Sequence, residues 1–244
     1  MLLAIDIGNS RIKCAVFEHD KMLAQFTFLA DELEISLHDI VVKYPECKDI
    51  VVANVGMLSE NQLIKMAKPL KCHFITSQSF FPFKNKYQTP GTLGIDRMVL
   101  AAGAVLIYPD VSKLVIDVGT CITYDFVDTE NNYLGGAISP GIRLRYEALK
   151  EKTAKLPLLQ MKYPDDFVGN CTDEAIHVGV VQGVLNEIDG FIDQYQAKYA
   201  NIIIILTGGD GDFLAKRLKN TIFANSNFLL ESLNQTFQYQ DKND

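Results

Sequence analysis

The chain has 244 residues, of which 48% are hydrophobic and 22% charged. This composition is ordinary for a globular protein, and the length allows one large core or two cores of about 120 residues each. The net charge of −7, without a basic run, argues against nucleic acid as the main partner and against binding to an anionic membrane surface.

Five scattered cysteines, an odd number with no C-x-x-C spacing, indicate reduced and packed thiols rather than a disulfide framework or a zinc site. The longest apolar run, Ile202 to Leu206, is too short to span a bilayer. The N-terminus begins as a strand and lacks the features of a signal peptide. We therefore expect a cytoplasmic protein without a membrane partner.

The first predicted element is a β-hairpin over residues 3–17. Its first strand is an apolar run, its second alternates apolar and polar residues, and Gly8 and Asn9 between them tolerate the positive φ of a tight turn. Asp6 closes the first strand beside the free N–H groups of the turn, which favours a site for a metal-bound phosphate. Alternatively, Asp6, Gly8 and Asn9 are only turn residues.

A second stretch, residues 114–124, repeats the order of the first: an apolar run, Asp117, a β-branched residue, Gly119 and the small polar Thr120. Self-similarity at a domain-sized interval predicts two copies of one supersecondary unit. We place the domains at residues 1–111 and 112–244, and two facing turns of this kind would clamp one polyphosphate.

The remaining elements of the first half alternate between strands and helices. The predicted elements are a strand over 22–28, a helix from Asp31 to near Pro45, a strand over 49–53, a helix capped by Ser59 that ends before Pro69, and a strand over 73–75.

A loop rich in aromatic residues follows, from Thr76 to Gly94, and leads into a helix that starts with Asp96 and Arg97 in its first turn. The aromatic rings either pin the loop to the core or form the wall of a pocket or a subunit contact. Asp96 is either an ordinary charge favoured by the helix dipole or a base that accepts a substrate proton while Arg97 holds an anionic group.

The second half repeats the meander and then adds helices and one buried strand. The predicted strands cover 113–118, 122–127, 132–138 and 201–206, and the predicted helices cover 142–150, 213–218 and the stretch from a Thr172 cap to about Tyr199, with a loop over 156–164. Backbone or ligand should come close at the glycines of 135–141. The turn Thr207-Gly208-Gly209 after the buried strand either admits a nucleotide or is a tight strand-to-helix turn. Disorder is expected only at the polar tail, residues 238–244.

Five of these segments, in this order, resemble motifs of the type III pantothenate kinases, within the superfamily of acetate and sugar kinases, Hsp70 and actin. They are residues 6–13 (DIGNSRIK), 94–97 (GIDR), 116–121 (IDVGTC), 135–141 (GGAISPG) and 207–209 (TGG). The resemblance implies an α/β protein of two RNase H-like, actin-like ATPase domains, each a mixed five-stranded sheet with flanking helices, related by internal duplication.

The resemblance also implies an enzyme that transfers the γ-phosphoryl group of ATP to pantothenate, the first step of coenzyme A biosynthesis, and that works as a homodimer. ATP would contact residues 6–13, namely Asp6, Ile7, Gly8, Asn9, Ser10, Arg11, Ile12 and Lys13, and also Thr120. Asp6 would hold Mg²⁺ through water, and Asp117 would bind a monovalent cation, K⁺ or NH₄⁺.

By the same resemblance, Asp96 would be the general base, and pantothenate would contact Tyr87, Gly94, Ile95, Asp96, Arg97 and Thr172, the last from across the dimer interface. Ser10 and Ile95 depart from the residues common in the family; Ser10 keeps the hydroxyl, whereas Ile95 adds bulk. The alternatives left open are a phosphatase or kinase of the same fold for another small hydroxy acid, and a non-catalytic ATP-binding regulatory protein.

Overall fold

The structure is a computed structural model that describes residues 1–8, 11–54, 56 and 58–243. In chain order the strands are β1 (Leu2–Ile7), β2 (Ile12–Glu18), β3 (Lys21–Phe28), β4 (Asp49–Asn54), β5 (Lys71–Ile75), β6 (Lys84–Asn85), β7 (Ser112–Val118), β8 (Cys121–Val127), β9 (Asn132–Pro140), β10 (Ile202–Thr207) and β11 (Phe223–Ala224). The helices are α1 (Leu33–Lys43), α2 (Glu60–Met66), α3 (Ile95–Ile107), α4 (Ile142–Lys152), α5 (Thr172–His177), α6 (Gly183–Lys198), α7 (Gly211–Ala215) and α8 (Phe228–Asp241).

The chain forms two compact units. Unit 1 comprises Met1–Asp110, Val127–Gly135 and Asn227–Asp244, and unit 2 comprises Val111–Phe126 and Gly136–Ser226. The last helix, α8, therefore belongs to unit 1. The division into domains at residues 1–111 and 112–244 stays a prediction.

Unit 1 is built on a five-stranded sheet with the order β3-β2-β1-β4-β5. β1 pairs with β2 in antiparallel and with β4 in parallel orientation, so the sheet is mixed. Alternate residues of β1 point to opposite faces. Leu3 and Ile5 pack in one core with α1 and α2, while Leu2 and Ala4 pack in a second core with α3 and α8.

The second sheet has six strands, and β10 pairs with β7 in parallel. Next to β6 at one edge, its other five strands follow the order β9-β8-β7-β10-β11. This order repeats that of unit 1, with β7 in the place of β1 and β10 in the place of β4. The core of unit 2 lies between this sheet and α4, α5 and α6, where Ile116, Val184 and Ile188 are fully buried. The two mixed sheets confirm the predicted fold class, although the second sheet has six strands rather than the expected five, because the two-residue β6 pairs with β9 at its edge.

Most predicted elements are found within two or three residues of their expected bounds. Ser59 caps α2 as predicted: its hydroxyl accepts from the N–H of Gln62 at 3.4 Å, and Gln62 Oε1 accepts from the N–H of Ser59 at 3.0 Å. The helix from Thr172 to about Tyr199 is also confirmed, although a π-helical turn, Val178–Gln182, joins α5 to α6.

The expectations for the C-terminal tail and for the packing of the cysteines are wrong. The tail was expected to be disordered, but α8 continues to Asp241, and Gln238 Nε2 donates to His19 O at 3.2 Å. The cysteines were expected to be packed, but Cys121 and Cys171 are exposed; all five thiols are free. Burial raises the pKa of Cys14 to about 12.

No helix in the described part of the chain combines the length and hydropathy that a membrane span needs.

Candidate active site

The hairpin β1–β2 places Asp6 directly opposite Lys13 in the strand register, with Ala53 of β4 on its other side. Opposed residues of an antiparallel pair project from the same face, so the carboxylate and the ammonium group share one face of the sheet. Asp6 is buried, with 8% of its surface exposed. The structure thus brings Asp6 and Lys13 together; Asn9 and Ser10 lie outside the described residues.

Gly8 and Gly56 allow the backbone to come close around this turn. A Cβ on Gly8 would lie 3.1 Å from Arg11 O, and one on Gly56 would lie 3.0 Å from Ile7 Cγ2. Gly8 does not lie in the left-handed region, so the predicted need for positive φ is wrong at this residue. Its N–H is not free either, because it donates to Arg11 O at 3.2 Å and closes the turn.

The hairpin β7–β8 places Asp117 one residue before the end of β7, as Asp6 stands in β1. The N–H of Gly119 donates to Cys121 O at 2.9 Å and closes a two-residue turn that carries Thr120. Gly208 has φ +98°, and a Cβ there would lie 2.5 Å from Asp117 Oδ1. The structure therefore brings the predicted turn after β10 directly against Asp117.

The helix α3 begins as predicted, with Gly94 as its N-cap and Asp96 and Arg97 in its first turn. Asp96 Oδ1 accepts from the N–H of Arg97 at 2.9 Å, and a Cβ on Gly94 would clash with this oxygen. The helix dipole favours a carboxylate at this position. Gly94 thus leaves room for the Asp96 carboxylate to fold over the start of the helix.

Tyr87 and Arg97 are neighbours in unit 1. The Arg97 guanidinium lies 5.8 Å from the centroid of the Tyr87 ring, and Arg97 is only 6% exposed. A Cβ on Gly135, which has φ +92°, would lie 3.0 Å from Tyr87 Cδ2. A buried cation beside an aromatic ring suits a small organic anion that carries apolar groups.

The aromatic loop is pinned to the core of unit 1, which was one of the two interpretations of its sequence. Phe81, Phe83 and Tyr87 pack against a buried cluster that includes Leu93 and Tyr133. Ile95 packs against the same cluster, so its bulk fills the core.

Thr172 is not the cap of its helix, and this prediction is wrong. Cys171 is the N-cap, Thr172 is the first residue of α5, and no side chain of the described residues caps this end. The difference arises because the extended backbone of an N-cap lies at Cys171, with φ −144° and ψ 168°, so the helix starts one residue earlier than a Thr172 cap requires. The Thr172 side chain is exposed.

Sequence reasoning did not single out the polar network behind the Thr120 turn. This network joins residues from β8, β9, α4 and α6: Tyr124, Ser139, Arg145 and Glu187. The available signal was Arg145, a basic residue four positions after Gly141 at the end of the glycine-rich segment.

The donor chemistry of the strand ends fits hard cations. Mg²⁺ is usually held by one or two carboxylates together with substrate phosphates and water, and Asp6 supplies such a carboxylate at the end of β1. Within the described ranges, no three His, Cys, Asp or Glu side chains are grouped to hold a metal ion by themselves.

Comparison with known sequences gives a consistent result. A family model described as type III pantothenate kinase matches residues 2–194. A Flavobacterium johnsoniae protein named type III pantothenate kinase is 59% identical over 244 residues, which cover 100% of both chains.

Comparison with solved structures supports the fold. A Campylobacter jejuni protein named as a Baf family transcriptional activator has a TM-score of 0.66 at 24% identity, covering 98% of this chain and 99% of that one. An inorganic polyphosphate/ATP-glucomannokinase from Arthrobacter has a TM-score of 0.52 at 13% identity, covering 100% and 99%. At these identities the likeness concerns the fold alone.

Proposed function

We propose a division of roles among the residues of this chain, which belongs to the type III pantothenate kinase family and is an ATP-dependent kinase for pantothenate. The reaction transfers the γ-phosphoryl group of ATP to a hydroxyl of pantothenate in coenzyme A biosynthesis. Positioning and neutralisation of charge account for most of the catalysis in such transfers, so each role below is one or the other.

The hairpin β1–β2 binds the phosphates of ATP. Lys13 shares a sheet face with Asp6 and supplies positive charge to the phosphate oxygens. Asn9, Ser10 and the turn from Gly8 to Ile12 contact the same phosphates, and Thr120 also contacts ATP. These assignments rest on the sequence motif and on the paired register of Asp6 and Lys13.

Asp6 holds the Mg²⁺ that accompanies ATP, through a water molecule. Its position at the carboxyl end of a buried strand and its low exposure support this role. The metal, when bound, neutralises charge that develops on the β- and γ-phosphate oxygens.

Pantothenate binds at the start of α3. The buried Arg97 guanidinium holds the carboxylate of pantothenate, and the Tyr87 ring beside it contacts the apolar part. Gly94 and Ile95 shape this end of the helix. The single observation that carries the proposal is that the acid Asp96 and the buried cation Arg97 lie in the same first turn of α3.

Asp96 is the general base. It accepts the proton of the pantothenate hydroxyl as that oxygen attacks the γ-phosphorus. The hydrogen bond from the N–H of Arg97 fixes one carboxylate oxygen and thereby orients the group.

Asp117 binds a monovalent cation, K⁺ or NH₄⁺. The carboxylate lies against the turn after β10, where Gly208 leaves no room for a side chain. A cation here adds positive charge that favours phosphoryl transfer.

The protein works as a homodimer, and Thr172 contacts pantothenate bound to the partner copy. The chain before α5 exposes large apolar side chains, Phe167 at 79% and Val168 at 62%. Isolated domains seldom expose such side chains close together, and burial against a second copy would remove them from water.

The test of the base is Asp96→Asn, assayed by pantothenate-dependent ADP release. We expect turnover to fall by roughly 10²–10⁴ while ATP still binds, because a general base contributes that much. The matched control is Asp212→Asn, which alters an exposed aspartate in the first turn of α7. Near-normal turnover of Asp96→Asn would contradict the assignment.

A further inference from the structure

Arg145 of α4 folds back onto the segment that precedes its own helix. Its Nε donates to Pro140 O at 2.8 Å, and its Nη2 donates to Ser139 Oγ at 2.7 Å. The N–H of Arg145 also donates to Gly141 O at 3.1 Å in the first turn of α4. One side chain therefore fixes the corner at which β9 ends and α4 begins.

Glu187 of α6 holds the arginine in this position. Its Oε2 accepts from Arg145 Nη2 at 2.6 Å, and its Oε1 accepts from the hydroxyl of Tyr124 at 3.0 Å. The Arg145 and Glu187 side chains are only 22% and 25% exposed. Burial alone would raise the pKa of Glu187, but the hydrogen bonds from Arg145, Ser139 and Tyr124 outweigh it and lower the pKa.

The same corner supports the turn that carries Thr120. The N–H of Gly141 donates to Thr120 O at 2.9 Å, and a Cβ on Gly141 would lie 2.6 Å from that oxygen. A shift of Gly141 would therefore move the Thr120 backbone. Gly136 of β9 likewise lies against the Tyr124 carbonyl with no room for a Cβ.

We propose that Arg145 and Glu187 are a positioning pair for the nucleotide: they lock the Ser139–Gly141 corner, which holds the Thr120 turn in its ATP-binding position. Neither side chain touches the substrate in this scheme. This inference rests on the proposed role of Thr120. It adds two residues, Arg145 and Glu187, that lie outside the five motifs that resemble the family. Geometry of this kind matters because small displacements of a positioned group weaken binding and transfer strongly.

The experiment compares binding of Mg²⁺–ATP, by titration calorimetry, with steady-state kinetics for Arg145→Met and Glu187→Gln. We expect the Kd and KM for ATP to rise roughly ten- to a hundredfold, with the KM for pantothenate changed less than about twofold. Arg145→Lys keeps the charge but cannot make the forked contacts, so its effect should fall between those of wild type and Arg145→Met.

Matched controls lie on the same helix. Arg143 and Glu147 form an ion pair at 2.7 Å, and the Arg143 side chain is 87% exposed. Arg143→Met and Glu147→Gln make the same chemical changes away from the corner and should leave the ATP constants unaltered. Circular dichroism checks folding, and Tyr124→Phe, which removes one bond to Glu187, provides a milder variant if Arg145→Met does not fold.

Thr120→Ala separates failure of this inference from failure of the proposed role. If Thr120→Ala weakens ATP binding but folded Arg145→Met, Glu187→Gln or Tyr124→Phe does not, the positioning pair is overturned and the role of Thr120 stands. If Thr120→Ala leaves ATP binding unchanged, both are overturned. Equal rises in the KM for ATP and for pantothenate would show a merely structural role and would also overturn the inference.

Discussion

The hairpins β1–β2 and β7–β8 have the same arrangement of strands, but they differ in the length of their turns. Each first strand lies beside a parallel strand, β4 or β10, and each carries its aspartate one residue before its end. Four residues separate β1 from β2, whereas only residues 119–120 separate β7 from β8. Two similar carboxylates thus stand at equivalent positions of the two hairpins, and the different turns support the proposal that one serves the phosphates and the other a monovalent cation.

The two hairpins also share a glycine that follows the neighbouring parallel strand. Gly56 follows β4 and meets Ile7 and Gly8, while Gly208 follows β10 and meets Asp117 and Val118. The second contact is tighter, and Gly208 has a positive φ. A side chain added at Gly208 should therefore disturb the second hairpin more than a side chain added at Gly56 disturbs the first.

The largest effect that separates the two hairpins should come from their aspartates. Asp6→Asn should lower kcat/KM in K⁺ buffer by roughly 10²–10³, because it removes charge that orders the metal at the transferred group. Asp117→Asn should cost about tenfold, since it acts on the phosphates only through a bound cation. ADP-release kinetics on both variants measures the ratio, and an equal loss for the two would contradict different roles.

The next effect is on stability and compares the two glycines. Gly208→Ala should lower the free energy of unfolding by about 2 kcal/mol or more, because a side chain there is both strained and obstructed. Gly56→Ala should cost about 1 kcal/mol or less, since Ile7 can shift slightly. Urea denaturation measures both changes. Gly209→Ala is the control because, among the described residues and apart from its chain neighbours, no heavy atom lies within 4 Å of its Cβ position. A larger loss for Gly56→Ala than for Gly208→Ala would reverse the comparison.

The smallest effect is the pH dependence of the stability that Glu187 contributes near the turn of the second hairpin. Because the pKa of Glu187 is lowered from its ordinary value of 4.5, its stabilising contribution is present above that pH and is lost as pH falls through the folded pKa. The stability difference between wild type and Glu187→Gln should therefore shrink between neutral pH and pH 4 or below. Denaturant unfolding at several pH values tests this, and a difference that grows on acidification would contradict it.

Local signals in the sequence were enough to predict the hairpins and the helix starts. The apolar run before Asp117 and the Gly94 cap act within a few residues of chain, so their consequences are readable without the tertiary structure. The carboxylates of Asp6, Asp96 and Asp117 could be placed at element ends for the same reason.

Features that depend on distant contacts were missed. The polar end of α8 is helical because its inner face, including Leu233 and Phe237, packs in the core with α3 and β1. β6 and β11 have two residues each and exist only through pairing with β9 and β10. Arg145 and Glu187 are 42 residues apart, and no spacing rule predicts their contact.

The central claim, that the duplicated aspartates hold different cations, is tested most directly by cation dependence. Pantothenate-dependent ADP release would be measured with saturating ATP and Mg²⁺, in K⁺ and then in Na⁺ at equal ionic strength, for wild type and Asp117→Asn. We expect turnover that is much higher in K⁺ for wild type and a K⁺ advantage that disappears in Asp117→Asn. Equal wild-type turnover in both salts, or a K⁺ advantage that survives in Asp117→Asn, would contradict it.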